Sequence, residues 1–206
     1  MSLGAAFTTA ADGDVRSDAG AREQASRAIG VSAEWSTVRQ VHGDRVVVVD
    51  APGDAGEADA LLTTTLGLPL AVFTADCVGV VIEGDRAVGV AHAGWRGARA
   101  GVVRRLLDAF GATGVEPRIA TIGPHIRSCC FEVGPEVAAE FDGHLAETTW
   151  GTPSVDLAGH VRASLEGIEV ADLGVCTMCG DDTFSHRRDG DRSRMAALGW
   201  LAGERT

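Results

Sequence analysis

The 206-residue chain contains no lysine, no asparagine and no tyrosine, and all eighteen of its basic residues are arginine. Together with 27 glycines and abundant alanine and valine, this bias follows the codon choice of a GC-rich genome and carries no mechanism by itself. No apolar run approaches the roughly 18 residues of a spanning helix, so no membrane is expected as a partner. The first twenty residues, MSLGAAFTTAADGDVRSDAG, lack a basic start followed by an apolar stretch, and nothing there reads as a secretory signal. Five cysteines are an odd number in a chain too large to need disulfide staples, which predicts reduced thiols and a cytoplasmic location. Basic charge is also short. Eighteen arginines against 29 acidic residues leave a net charge of −11. A protein that grips the phosphate backbone carries a basic face, so nucleic acid is not an expected partner. An arginine-lined pocket for one small anion remains compatible with the balance.

Hydrophobic residues make up 45% of the chain, enough to bury a core and to exclude a disordered polypeptide. Neither a repeat nor a linker divides it, and residues 1–206 read as a single domain. Residues 20–29 suit a helix ended by Gly30, and Arg45–Asp50 a β-branched strand before the Pro52-Gly53 turn. Leu70–Thr74, Val78–Glu83 and Ala87–Ala91 are almost continuously apolar, the pattern of strands buried on both faces. A turn at Glu83-Gly84-Asp85 makes the last two a hairpin. Ala98–Phe110 reads as one amphipathic helix with Val102, Val103, Leu106, Leu107 and Phe110 on its apolar stripe. Ile119–Ile122 is a further strand. Pro135–Phe141 and Val155–Leu165 read as helices, the second capped by Ser154, and Met195–Leu201 fits helix or strand. The fold class is α/β, with mixed sheets flanked by helices.

Six histidines and five cysteines allow every constellation to be weighed. His42 in RQVHG precedes the valine strand, Cys77 in TADC follows a buried strand, and His92 in AHAGWRG follows the second hairpin arm. A hairpin returns the chain to the same sheet edge, so Cys77 and His92 become neighbours across 15 residues. Two imidazoles and one thiolate suit zinc and leave a fourth position open, as catalytic zinc requires. The same residues suit a Cys–His nucleophilic pair, which spacing does not separate from a metal. They also suit a buried small cysteine between two ordinary loop histidines. Cys176-Thr177-Met178-Cys179 is a lone CxxC; without a second CxxC no four-sulfur zinc site is expected, adventitious metal or redox pairing is an alternative, and packing beside a strand end is the preferred reading. The turn IGPHIRSCC carries His125, Arg127, Cys129 and Cys130. His186-Arg187-Arg188-Asp189 with Arg192 and Arg194 is a local basic run, an ordinary solvated face that also suits phosphate capture. His144 and His160 have no evident partners.

Taken in order, RQVHGD, ADALLTTTLGLPLAVFTADC, GVAHAGWRG, IGPHI…CCFEVG and CTMC…SHRRDG…RMAALGWL resemble the YfiH family of laccase-domain proteins, long labelled multicopper polyphenol oxidoreductases. The resemblance runs from about Gln40 to Leu201. It implies a fold shared with bacterial cysteine-hydrolase-like toxins, and one zinc held by His42, Cys77 and His92. It also implies a purine nucleoside enzyme: phosphorolysis of adenosine, inosine and 5′-methylthioadenosine, with deamination of adenosine alongside. In that setting Cys77, His42 and His92 surround the chemistry, and Asp76 is a candidate for proton transfer or for support of the ligands. Arg96 and Arg45 are phosphate candidates, and His125 and Arg187 further substrate-binding candidates. The family's usual Gly/Ser/Leu/Asn-rich N-terminal stretch is not recognisable here. Val78-Gly79 stands where a Pro often follows ADC, and His186 where a Tyr is expected.

Two other chemistries follow from the same residues. A cell-wall precursor amidase would use Cys77 or zinc-activated water on an amide. A copper polyphenol oxidase would need a histidine-rich cluster beyond His42 and His92, and only four scattered histidines remain. Copper would nevertheless displace zinc from such nitrogen and sulfur donors in vitro. A non-catalytic binding protein would keep its function without Cys77.

Overall fold

A computed structural model describes residues 2–190 and 192–202. Strands β1 (Ser2–Phe7), β2 (Ser36–Arg39), β3 (Val46–Val48), β4 (Gly53–Glu57), β5 (Ala60–Thr63), β6 (Leu70–Thr74), β7 (Val78–Gly84), β8 (Ala87–Ala93), β9 (Pro117–Ile122), β10 (Leu145–Glu147), β11 (Pro153–Val155), β12 (Glu169–Asp172) and β13 (Met195–Ala202) form three sheets. The helices are α1 (Ala19–Ile29), α2 (Trp95–Ala100), α3 (Val102–Thr113), α4 (Pro135–Ala138), α5 (Leu157–Ala163) and α6 (His186–Asp189). One mixed sheet has the order β1-β13-β6-β2-β4 and the other β12-β9-β7-β8-β5-β3; β10 and β11 pair separately.

The two large sheets pack face to face. Val72 and Ala197 of one meet Val81, Val88 and Val90 of the other in a shared apolar layer. The opposite face of the first sheet, with Ala71, Phe73 and Leu198, is covered by α1. The opposite face of the second, with Val80 and Ile82, is covered by the Val102, Leu106 and Phe110 stripe of α3. Mixed sheets are thus flanked by helices. Both faces of β6, β7 and β8 are buried, which is why these strands are apolar at every position rather than at alternate ones.

Several expectations change. The helix expected over 98–110 is two helices, α2 and α3, separated by Gly101 at φ +88°, a left-handed turn that glycine adopts without Cβ strain. Residues 153–155 form a strand, so Ser154 is no cap: its hydroxyl donates to Ser128 O, and Asp156 caps α5 by accepting from Gly159 N. The helix at Pro135 ends at Ala138. Met195–Ala202 is a strand between β1 and β6, in a sheet whose register a helix would break. His92 lies within β8 rather than beyond its end.

Candidate metal centre

The site forms where the chain crosses from one sheet to the other. β6 ends at Thr74 and β7 begins at Val78, so Ala75-Asp76-Cys77 is the crossing. Asp76 takes φ +90°, a left-handed conformation that a non-glycine residue adopts only under surrounding constraint. The constraint is visible. Asp76 O accepts from Ile126 N at 2.8 Å, and its two carboxylate oxygens accept from Thr177 Oγ1 and Arg187 N, each at 2.6 Å.

The β7–β8 register pairs Val78 with Ala93 and Gly79 with His92, which brings Cys77 to the end of β8. The β5–β8 register pairs Ala60 with Ala91, and so places Asp59 across from His92. His42 joins from the loop after β2, itself at φ +61°. That loop is tied down twice. The Gln40 amide donates to Phe73 O and accepts from Phe73 N, both at 2.8 Å, extending the ladder by a side chain. Asp59 accepts the backbone N–H groups of Val41, His42 and Gly43 at 2.7–3.1 Å.

One ligand atom each from His42, Cys77 and His92 lies within 4.8 Å of the others. Cys77 Sγ is 4.0 Å from His42 Nε2, and the two imidazole rings meet edge to face at 4.8 Å. Asp59, wholly buried, is 2.8 Å from His92 Nδ1 through its Oδ1. A carboxylate on Nδ1 fixes the ring and leaves Nε2 as the free ligand atom, the usual support of a metal-binding histidine. The backbone approaches closely as well: a Cβ on Gly94 would stand 2.7 Å from His42 Cδ2 and 3.0 Å from Cys77 Sγ. The donor set, its convergence and the carboxylate behind His92 fit a divalent metal with N and S preference.

Electrostatics tune the trio. Burial works against the Cys77 thiolate, but the charge of His92 and hydrogen bonds from His42 and His92 bring the thiol down to about 6. Burial likewise works against a charged His92, yet the Cys77 charge and Asp59 lift it to about 9. The Asp59 carboxyl is raised by burial and lowered more by His92 and the backbone N–H groups, and ends below its ordinary value. Without metal these opposite shifts favour a thiolate–imidazolium pair at neutral pH.

The trio opens into a cleft of about 240 Å³ lined also by Arg16, Phe73, His186 and Arg194. A cavity of about 290 Å³ between Thr64, Arg86 and Val115 has no His, Cys or acidic lining residue, so the chemistry concentrates in the first. The arginines of the cleft are not the ones expected. Arg96 stacks its guanidinium over Trp95 at 4.3 Å, and Arg45 is solvent-exposed just before β3; neither lines the cleft. Arg187 turns away to donate to Glu132 O at 2.9 Å and to cover Phe131. His125 is buried, with Nδ1 bonded to Gly123 O at 2.8 Å. Arg16 and Asp59 escaped sequence reasoning; the one available signal for Asp59 was an acid immediately ahead of the apolar ALLT strand.

The structure also supplies the CxxC with partners. Cys129, Cys130, Cys176 and Cys179 lie with their sulfurs within 4.8 Å of one another, which corrects the expectation that a lone CxxC stays without further sulfur. The adjacent Cys129-Cys130 pair takes the place of a second CxxC. Among the described residues these are the two converging groups of three or more metal-ligating side chains, and the second holds no histidine.

Residues 8–202 match the family described as multi-copper polyphenol oxidoreductase laccase. The chain belongs to this family. Among laccase-domain relatives, a Streptomyces coelicolor protein named purine nucleoside phosphorylase SCO2081 is 42% identical, covering 92% of this chain and 86% of its own. Purine nucleoside phosphorylase ORF3 of Streptomyces griseus is 41% identical over 87% of this chain and 80% of its own. The crystal structure of Bacillus licheniformis protein YfiH superposes with a TM-score of 0.82 at 27% identity, covering 91% of this chain and 82% of that one. The laccase-domain family is metal-associated by description, and this chain carries a His/Cys group that could hold a metal ion. No helix among the described residues is long and apolar enough to cross a membrane.

Proposed function

We propose that the cleft performs phosphorolysis of purine nucleosides (adenosine, inosine and 5′-methylthioadenosine) to free base and the ribose 1-phosphate, with hydrolytic deamination of adenosine alongside. The observation that carries this reading is the shared cleft: three metal-ligand side chains face two arginines, Arg16 and Arg194, in one small volume. The relatives named purine nucleoside phosphorylase support it.

His42, Cys77 and His92 would hold zinc, with Asp59 orienting His92. Zinc so bound supplies Lewis acidity that polarises oxygen and acidifies water. Arg16 and Arg194 bind the phosphate, for which planar guanidinium groups offer paired donors, and stabilise charge as the glycosidic bond breaks. A phosphate oxygen bonds to the anomeric carbon, the bond from that carbon to the purine nitrogen breaks, and the base leaves with a proton. The His186 imidazole, at the cleft, is placed to exchange that proton, and Phe73 offers a ring to the base. Asp76 is a positioning residue for Cys77, since both its oxygens are already engaged. The reaction belongs to the cytoplasm, where the five thiols stay reduced.

The test is adenosine turnover with and without phosphate, on wild type and Cys77→Ala, beside metal content by mass spectrometry. Adenine released only with phosphate, and lost together with metal in Cys77→Ala, is the expected result. No nucleoside turnover, with cleavage of an amide-linked cell-wall precursor instead, would overturn it. Turnover by metal-free wild type would make the Cys77 thiolate, 4.0 Å from His42, the nucleophile.

A further inference from the structure

The four converging cysteines lie outside the cleft and take no part in the reaction above. Their placement follows from topology. β9 and β12 are parallel neighbours, so the loops that follow them, one carrying Cys129-Cys130 and the other Cys176-Thr177-Met178-Cys179, leave the sheet at the same end. The loops are also paired through backbone: His125 N donates to Val175 O and Thr177 N to His125 O. The sulfur separations are 3.0 Å for Cys130–Cys179, 3.6 Å for Cys129–Cys130 and 3.8 Å for Cys129–Cys179. A tetrahedral ion with metal–sulfur bonds of about 2.3 Å spaces its sulfurs about 3.8 Å apart.

A second observation concerns the sulfur atoms themselves. Cys176 Sγ accepts a backbone hydrogen bond from Arg127 N at 3.5 Å. A backbone N–H donated to a cysteine sulfur is the outer-shell contact that stabilises a metal-bound thiolate. The loop is clasped from outside by Arg188, whose guanidinium donates to Gly180 O and Thr183 O at 2.7 Å and to Thr177 O at 3.1 Å. Its guanidinium, ion-paired with Asp189 at 2.8 Å, lies over a loop that four thiolates would make negative.

We propose that Cys129, Cys130, Cys176 and Cys179 bind a second metal ion, a structural tetrathiolate zinc site with no open coordination position. Four protein sulfurs close the tetrahedron, so the ion has no catalytic ligand to exchange. Its effect on the cleft is indirect. Thr177 stands between the two cysteines of the CxxC, and its hydroxyl holds Asp76 Oδ1; Ile126, on the other clamped loop, holds Asp76 O. Asp76 is the strained residue immediately before Cys77. The second ion therefore fixes the pair of loops that hold the first site's cysteine in place. Binding requires only loss of the four thiol protons to solvent, with no change of oxidation state.

Metal content of the full chain, expressed with zinc and purified under reductant, tests this. Two zinc per chain are expected in wild type, one in Cys77→Ala and one in Cys179→Ser. Cys179 is exposed, so its replacement leaves the core intact; Cys129→Ser, half-buried, serves as the second variant. Loading with Co²⁺ alone gives a separate reading: intense sulfur-to-cobalt charge-transfer absorption that largely survives Cys77→Ala and falls in Cys179→Ser to the weaker band of the single Cys77 thiolate. The melting temperature of zinc-loaded Cys179→Ser should fall below wild type, and the gap should close when both are stripped by chelator. A single zinc in wild type whose count Cys179→Ser leaves unchanged would overturn the proposal, as would a Cys130–Cys179 disulfide found by mass spectrometry in the reduced preparation. Neither result depends on nucleoside turnover, so this site and the cleft's chemistry fail or stand separately.

Discussion

At the scale of single residues, Asp59 bonds to both histidine-bearing segments of the proposed metal centre. It is wholly buried and accepts three backbone N–H groups of the loop bearing His42 while bonding His92 Nδ1. One carboxylate thus positions two of the three candidate ligands. Asp59→Asn should reduce metal affinity by about 10–100-fold, the usual loss when a histidine's outer partner is weakened. Competition against a chromophoric chelator would measure it; an unchanged affinity would remove Asp59 from the site's support. The thiolate–imidazolium pair gives a second expectation. In metal-free protein the depressed Cys77 value contributes stability above its ordinary 9.0, lost as pH falls through about 6. The raised His92 value contributes stability below its ordinary 6.5, lost as pH rises through about 9. The two run in opposite directions over the same interval, so the pair leaves stability nearly flat from pH 6 to 9. What moves is reactivity: alkylation of Cys77 by iodoacetamide should rise with a midpoint near 6, and a midpoint near 9 would mean the thiol is unpaired.

At the scale of elements, two short loops and one helix start do the assembling. The QVHG loop is held by Gln40 against β6, and α2 begins so close to it that a Cβ on Gly97 would stand 2.8 Å from Gly43 O. Gly94, the residue before α2, has still less room, with His42 and Cys77 both at its missing Cβ. Gly94→Ala should therefore displace His42 and Cys77 and lose the ion with the fold retained. Gly111→Ala is the counterpart: it lies within α3 with nothing near its missing Cβ, and should stabilise by about 0.5–1 kcal/mol. Metal content and thermal melts on the two variants separate a local clash from a general effect of adding a methyl group. The break at Gly101 also belongs here, because an uninterrupted 3.6-residue period hides a turn whose only mark is one glycine.

At the scale of the whole molecule, the cleft draws on both ends of the sequence. Arg16 precedes α1 and Arg194 precedes β13, and the chain closes on itself because β13 sits between β1 and β6. Arg194 N donates to Asp14 Oδ1 at 3.1 Å across that closure. A molecule with a net charge of −11 repels free phosphate at long range, so local arginines must supply the attraction. Arg16→Ala and Arg194→Ala should each raise the KM for phosphate about 10-fold or more with a smaller change for nucleoside, as removal of a charge-assisted contact predicts. Equal effects on both substrates would assign the arginines to general positioning instead.

Local chemistry alone determined the fold class, the strands β6 to β8, the α3 stripe and the singling out of His42, Cys77 and His92: short β-branched apolar runs bounded by turns read as strands buried on both faces, and imidazole and thiolate side chains are few enough to weigh singly. Only the tertiary structure decided which loops share an end of the sandwich. It placed Asp59 behind His92 through the β5–β8 register, brought Arg16 rather than Arg96 to the cleft, and joined Cys129-Cys130 to a CxxC 46 or more residues away. The physical reason is one of range. A residue's period and polarity report whether it is buried, which neighbours along the chain can dictate, whereas the identity of its partner is fixed by strand order and register, which are set by contacts across the whole sequence.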